Sequence, residues 1–192
     1  MSGFLLIVRN DLETIKPYTV KNLEGKRLNS MYEWVVFLHV IGVFGFAMAH
    51  GASVYVAFRL QQEKEVDRLR ALLDLSRLSL RGMSGSTILL LIAGIVAGFM
   101  GRWWGQAWIW ISIGILVVIT VVMILISGRA YYPLRTALGM PGPWDKVEGP
   151  PGEPASDEEI RTFIVAGHPR LMTIIGVGGF LIVLGLMRFK PF

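Results

Sequence analysis

Long apolar runs alternate along the chain with short, densely charged segments. Residues 34–58, 86–101, 106–128 and 171–187 contain no Asp, Glu, Lys or Arg. A helix crossing a bilayer core of ~30 Å needs ~20 apolar residues, with a range of roughly 17–25. Three of the runs meet that length, and the second does once Gly82 to Ser84, just upstream, are counted. The pattern predicts an all-α integral membrane bundle of four transmembrane helices, with spans at about 32–60, 82–101, 106–128 and 168–188.

The polar segments carry their own signals. In QQEKEVDRLRALLDLSRLSLRG, Val66, Leu69 and Leu73 recur at i, i+3 and i+7 among charges. That spacing predicts an amphipathic 60–81 helix, lying at the interface or continuing the first span into water. Residues 1–30 are polar and mixed, with Pro17 and Gly25 as breakers, and read as an N-terminal extension with at most short structure. The apolar run Phe4–Val8 is too short for a signal peptide, so the first span is expected to direct insertion. Between the third and fourth spans lies a Pro-rich loop, GMPGPWDKVEGPPGEPASDEEI. Its Ser156-Asp157-Glu158-Glu159 is a capping box that starts a helix at Asp157. Gly167-His168-Pro169 then breaks that helix, and Pro169 is suited to the first position of the last span.

Small and aromatic residues mark packing and depth. Gly94 and Gly98 form a small-xxx-small pair that admits a close helix, as do Gly176, Gly178, Gly179 and Gly185 on the last span. Trp34, Trp103, Trp104, Trp108, Trp110, Tyr131 and Tyr132 read as membrane-interface residues. The tryptophan-rich turn is short, so the second and third spans are expected to form an antiparallel hairpin. Quinone stacking is the other use open to those indoles.

Composition narrows the chemistry. The chain is 53% hydrophobic and 17% charged, below the roughly one-quarter charged fraction of soluble domains. It contains no cysteine, which removes disulfides, thiol nucleophiles, iron–sulfur clusters and Cys-held zinc. The net charge is +5, but the cations flank the apolar runs. They fit anionic lipid headgroups rather than nucleic acid. Eleven Lys and Arg fall on the side of the 60–81 and Pro-rich loops and eight on the side of the termini. The excess predicts a multi-pass protein of an inner (plasma) membrane with cytoplasmic loops and both termini outside. No intramembrane carboxylate, phosphate loop, nucleophile elbow or HExxH occurs, and no catalytic residue set is visible.

The candidate chemistry rests on His39, His50 and His168, because imidazole in hydrocarbon must be bonded or coordinated. His39 and His50 are ~20° apart around a helix and ~16 Å apart along it. They therefore share a face but not one metal ion. Antiparallel topology is expected to bring His50 and His168 to comparable depth on the loop side. Facing histidines can ligate a b-type haem, or copper with Met48 or Met172 as soft extra ligands. Equally, each ring can donate to a backbone carbonyl or to a hydroxyl such as Ser53 or Thr173, with no cofactor bound.

The segment Met31-Tyr-Glu-Trp-Val-Val-Phe-Leu-His39-Val-Ile-Gly42 resembles the opening helix of a family of uncharacterised bacterial four-helix integral membrane proteins. Leu75-Ser-Arg-Leu-Ser-Leu, the tryptophan-rich turn and the closing Leu186-Met-Arg-Phe-Lys-Pro-Phe192 are similar to that family too, so the resemblance spans residues 31–192. The wider group is akin to copper resistance D-type membrane domains and J-type protoporphyrinogen oxidases. The latter resemblance implies a haem-ligand role for His39 alone. Three functional readings follow. They are redox or metal handling through a haem or copper, a non-catalytic membrane subunit or scaffold docking a partner or a second copy, and protoporphyrinogen oxidation.

Overall fold

The computed structural model describes residues 2–142, 145–146 and 149–191, with side chains from Gly25 onward. Met1, Phe192, four positions of the Pro-rich loop and the side chains of most of the 1–30 extension lie outside the described residues. The described chain is helical, with no strand: α1 (Ser2–Gln62), α2 (Val66–Met100), a 3-10 turn (Trp103–Gly105), α3 (Ala107–Ala137), α4 (Asp157–Ala166) and α5 (Pro169–Phe189). Four helical stretches among the described residues are long and apolar enough to cross a membrane. They are Gly25–Gln62, Val66–Met100, Ala107–Ala137 and Asp157–Phe189.

Three boundaries differ from the expectations. The extension does not stop at short structure, because α1 is one helix of 61 residues through Pro17 and Gly25. Good helix formers around Gly25 (Leu23, Glu24, Lys26, Arg27) sustain the ladder there. The 60–81 segment is not a helix of its own. The chain breaks only at Glu63–Glu65 and then runs unbroken into the second apolar stretch. At that break the Glu63 carboxylate accepts the N–H groups of Lys64 (2.9 Å) and Glu65 (3.2 Å). These bonds hold its pKa below the usual carboxylate value. Finally, α3 passes Gly128 and carries Pro133 inside it. Proline forfeits one ladder bond, but Ala130, Leu134 and Ala137 around it are buried and hold the helical path.

The expected start signals of the last helices are in place. The Ser156 hydroxyl accepts the N–H of Glu159 (3.4 Å) and α4 begins at Asp157. Pro169 opens α5, where its missing N–H is no loss.

Packing divides the molecule. α1 lies along α2, and α3 lies along α5, while α2 and α3 are joined by the tryptophan-rich turn with few close backbone approaches of their own. A densely buried cluster then gathers the polar-side ends of the helices. Val56 and Leu60 of α1, Leu69 and Leu73 of α2, Leu134 and Leu138 at the end of α3, and Ile160 and Ile164 of α4 pack together. We call this the cap. Elsewhere the apolar surface points outward: Phe44, Met48, Ile92, Val118, Ile124 and Ile174 are all exposed.

Three arginines tie the proline-rich segment to the cap. Arg135 is 3% exposed; it donates to the carbonyls of Leu73 (2.8 Å) and Pro141 (2.7 Å) and to Asp74 (3.3 Å). Arg70 donates to the carbonyls of Leu138 (3.1 Å) and Gly152 (2.8 Å). Arg77 donates to the Asp145 carbonyl. The loop itself folds back at Gly139, whose φ is +68° and where a Cβ would lie 2.5 Å from the Gly152 carbonyl oxygen. Only glycine meets both demands.

Candidate functional site

The histidines sit where α1 meets its neighbours, and each has a different environment. α1 and α2 approach backbone to backbone at Gly42, where a Cβ would lie 2.8 Å from the Leu90 backbone nitrogen and 2.9 Å from its Cα. One turn before it, His39 reaches across and donates Nδ1–H to the Leu90 carbonyl at 2.7 Å. A carbonyl can only accept, so this contact fixes the neutral ring as the Nδ1–H tautomer and leaves the Nε2 lone pair uncommitted. The ring fills the space above Gly94, whose added Cβ would meet Cε1 and Nδ1 at 3.0 Å. Gly94 therefore accommodates an imidazole rather than a helix backbone. Gly98 does the same for the Trp104 indole, at 3.2 Å.

His50 turns toward α5 instead. It is 9% exposed, stacks on Phe46 with ring centroids 5.8 Å apart, and aims Nε2 at Gly176, where a Cβ would come within 2.5 Å. That nitrogen has no hydrogen-bond partner among the described residues. Phe46 also meets Phe180 at 5.7 Å, which fixes the α1–α5 register. Gly179 receives the Ile119 side chain of α3, whereas Gly178 and Gly185 face open space.

The expectation that His50 and His168 share a depth is not met. His168 is the exposed residue before α5, in a left-handed conformation (φ 40°). His50 faces Gly176, eight residues further along, or ~12 Å of helix rise. The helices are antiparallel as expected, but the Phe46–Phe180 contact slides α5 by two turns relative to that pairing. The soft donors do not converge either. Met48 is 76% exposed, and Met172 is buried on α5 one turn from Gly176. Among the described residues no group of three or more His, Cys, Asp or Glu is arranged to hold a metal ion.

The aromatic residues divide between an exposed and an inward set. Trp34, Trp110 and Tyr132 are exposed. Tyr131 turns inward and packs on the cap. At the turn, Trp103 meets Tyr32 edge-on at 6.0 Å and Trp108 at 5.8 Å. Lys190 lies over this group, 4.1 Å from the Trp103 ring and 5.5 Å from Trp108. These cation–π contacts fasten the end of α5 to the turn.

The residues that sequence reasoning missed are Gly42, which sets how close α1 and α2 come, and Arg70, Arg77 and Arg135. Gly42 had a signal in its spacing to Gly45 on one helix face. The arginines had none, because in a basic flank they read as solvated or lipid-facing cations. Compared with family models, curated proteins and solved structures, the chain matches none.

Proposed function

We propose that the chain is a multi-pass inner-membrane protein that handles electrons or a metal through a group held by His39. α1, α2, α3 and α5 cross the bilayer, with the cap in the cytoplasm and the tryptophan-rich turn outside. The charge-free stretches and the outward-facing apolar side chains support the crossing. The cation excess beside the cap supports the orientation.

The observation that carries the chemistry is the His39–Leu90 bond. Metal-ligating imidazoles regularly donate their other N–H to a carbonyl, which fixes the tautomer and aims the lone pair. His39 fits that role. His50 does not, since its Nε2 abuts Gly176 with no room for an ion. His168 does not, being an exposed residue two turns away from the His50 level. A b-type haem or copper ion would supply the redox change itself. The chain's part is to orient Nε2, and to exclude water through the α1–α2 seam. The four-helix family and J-type oxidase resemblance points to the same histidine.

The test is an absorption spectrum and elemental analysis of the detergent-purified protein. A Soret band or stoichiometric copper is expected, lost in His39→Ala and kept in His50→Ala and His168→Ala. A colourless, metal-free wild type, or a cofactor that survives His39→Ala, overturns the reading. The first of these outcomes would favour a non-catalytic membrane subunit.

A further inference from the structure

Away from the histidine seam, a cleft opens at the junction of α1 with α4 and α5. It measures about 510 Å³ and is lined by Phe58, Gln61, Gln62, Val165, His168, Pro169, Arg170 and Leu171. Two properties define its chemistry. First, its lining contains no carboxylate, while it contains a guanidinium, an imidazole and amide groups. Arg170 makes no hydrogen bond or ion pair among the described residues. The Gln62 side-chain carbonyl is already taken by Arg59 (3.3 Å), so what Gln62 has left to offer is its N–H donors. Gln61 is committed to the Ile164 carbonyl and serves as wall.

Second, the cleft lies at a chemical boundary in both helices. The charge-free stretch of α1 ends at Phe58, and that of α5 begins at Leu171. Val165 and Leu171 are exposed on its rim. A cation with no ion pair among the described residues and N–H donors thus share the cleft with outward apolar side chains. A soluble anion would use the donors and leave the apolar rim in water. A molecule that carries an anionic head and a hydrocarbon tail uses both.

We infer that this cleft binds the phosphate headgroup of an anionic glycerophospholipid from the cap-side leaflet, with Arg170 as its principal cation. His168 and Gln62 add neutral or charged donors, and the acyl chain runs down past Leu171 and Val165. Guanidinium is well suited to phosphate oxygens because its N–H groups form a planar fork. The inference rests on the membrane reading above, and the experiment separates the two.

The full-length protein in detergent is titrated with phosphatidylglycerol, with phosphatidylcholine of the same acyl chains, and with inorganic phosphate, and bound lipid is read by native mass spectrometry. Phosphatidylglycerol is expected to be retained in preference to phosphatidylcholine, and Arg170→Gln should weaken its retention about fivefold, the effect of one interfacial cation. Arg188→Gln, at the other end of α5, should leave retention unchanged. Arg170 is exposed and makes no hydrogen bond or ion pair among the described residues, so its variant should melt as the wild type does. Equal retention of the two lipids, equal losses in the two variants, or displacement of the lipid by inorganic phosphate alone would each overturn the inference. Reconstitution into bilayer nanodiscs is scored separately. Failure there sinks the membrane reading, whereas entry without phosphatidylglycerol preference sinks only the lipid site.

Discussion

Replacing Arg135 with alanine should cost about 3 kcal/mol, the upper part of the range for breaking a buried charged hydrogen-bond network. Its guanidinium joins α3 to two other parts of the chain: α2, through the Leu73 carbonyl and the Asp74 carboxylate, and the loop, through the Pro141 carbonyl. Asp74 is largely exposed, so the ion pair itself adds little once solvent screening is counted. The cost comes from the buried side, where the Pro141 carbonyl loses its donor and the arginine stem leaves a hole beneath α3. Arg70, Arg77, the backbone bond of Ala155 to Ala137 and the packing of Met140 and Ala155 on the cap then remain to hold the loop. We expect a lower melting temperature and rapid protease cleavage between residues 139 and 155, with helical content at low temperature kept. Arg135→Lys should recover part of the loss, because an ammonium reaches one carbonyl but cannot fork to two. An unchanged melt with a protected loop would show that the loop is held by something else.

The second large effect is expected at Gly42. A methyl group there would lie 2.8 Å from the Leu90 Cβ and backbone nitrogen, and backbone cannot step aside as a flexible side chain would. Gly42→Ala must therefore push α1 away from α2, at about 2 kcal/mol for overpacking a close seam. Its consequence reaches the histidine one turn away. At 2.7 Å the His39–Leu90 bond has little slack, so a shift of the helix lengthens it and frees the ring. The variant should lose stability and the His39-dependent cofactor signal together. Gly51→Ala is the matched comparison, since a Cβ at Gly51 meets nothing within 4 Å. In a helix interior that change is neutral or slightly stabilising. A Gly42→Ala protein that melts and absorbs as the wild type does would contradict the seam.

These two sites mark how far the sequence could be read. The apolar stretches were legible because hydropathy needs no partner, and so were the Ser156 cap and the Pro169 start, whose causes lie within four residues. That His39 and His50 share a face followed from helix geometry alone. Which neighbour each one meets did not, because it depends on register between helices far apart in sequence. Gly42 against Leu90 directs His39 to α2, and Phe46 against Phe180 directs His50 to Gly176 rather than to His168. The cap was illegible for a related reason. Leu69 and Leu73 announced an apolar face, but nothing local said that the face would close on Leu134 and Ile160. Arg135 carried no hint that its charge would be buried. The third span read as ending at 128, yet buried neighbours carry α3 through Pro133 to Ala137, and the boundary expected between 81 and 82 falls inside one continuous helix, α2.

Four crossings require the cap and the tryptophan-rich turn to lie on opposite sides of a membrane. The absence of cysteine allows one thiol to be placed at will. Gly105 in the turn is exposed with open space around it, and Glu153 in the cap loop is exposed. Gly105→Cys and Glu153→Cys should each be treated with a membrane-impermeant maleimide in intact cells and again after lysis. We expect Gly105→Cys to label in intact cells and Glu153→Cys only after lysis. Labelling of both from the same side would contradict the four crossings on which the account is built.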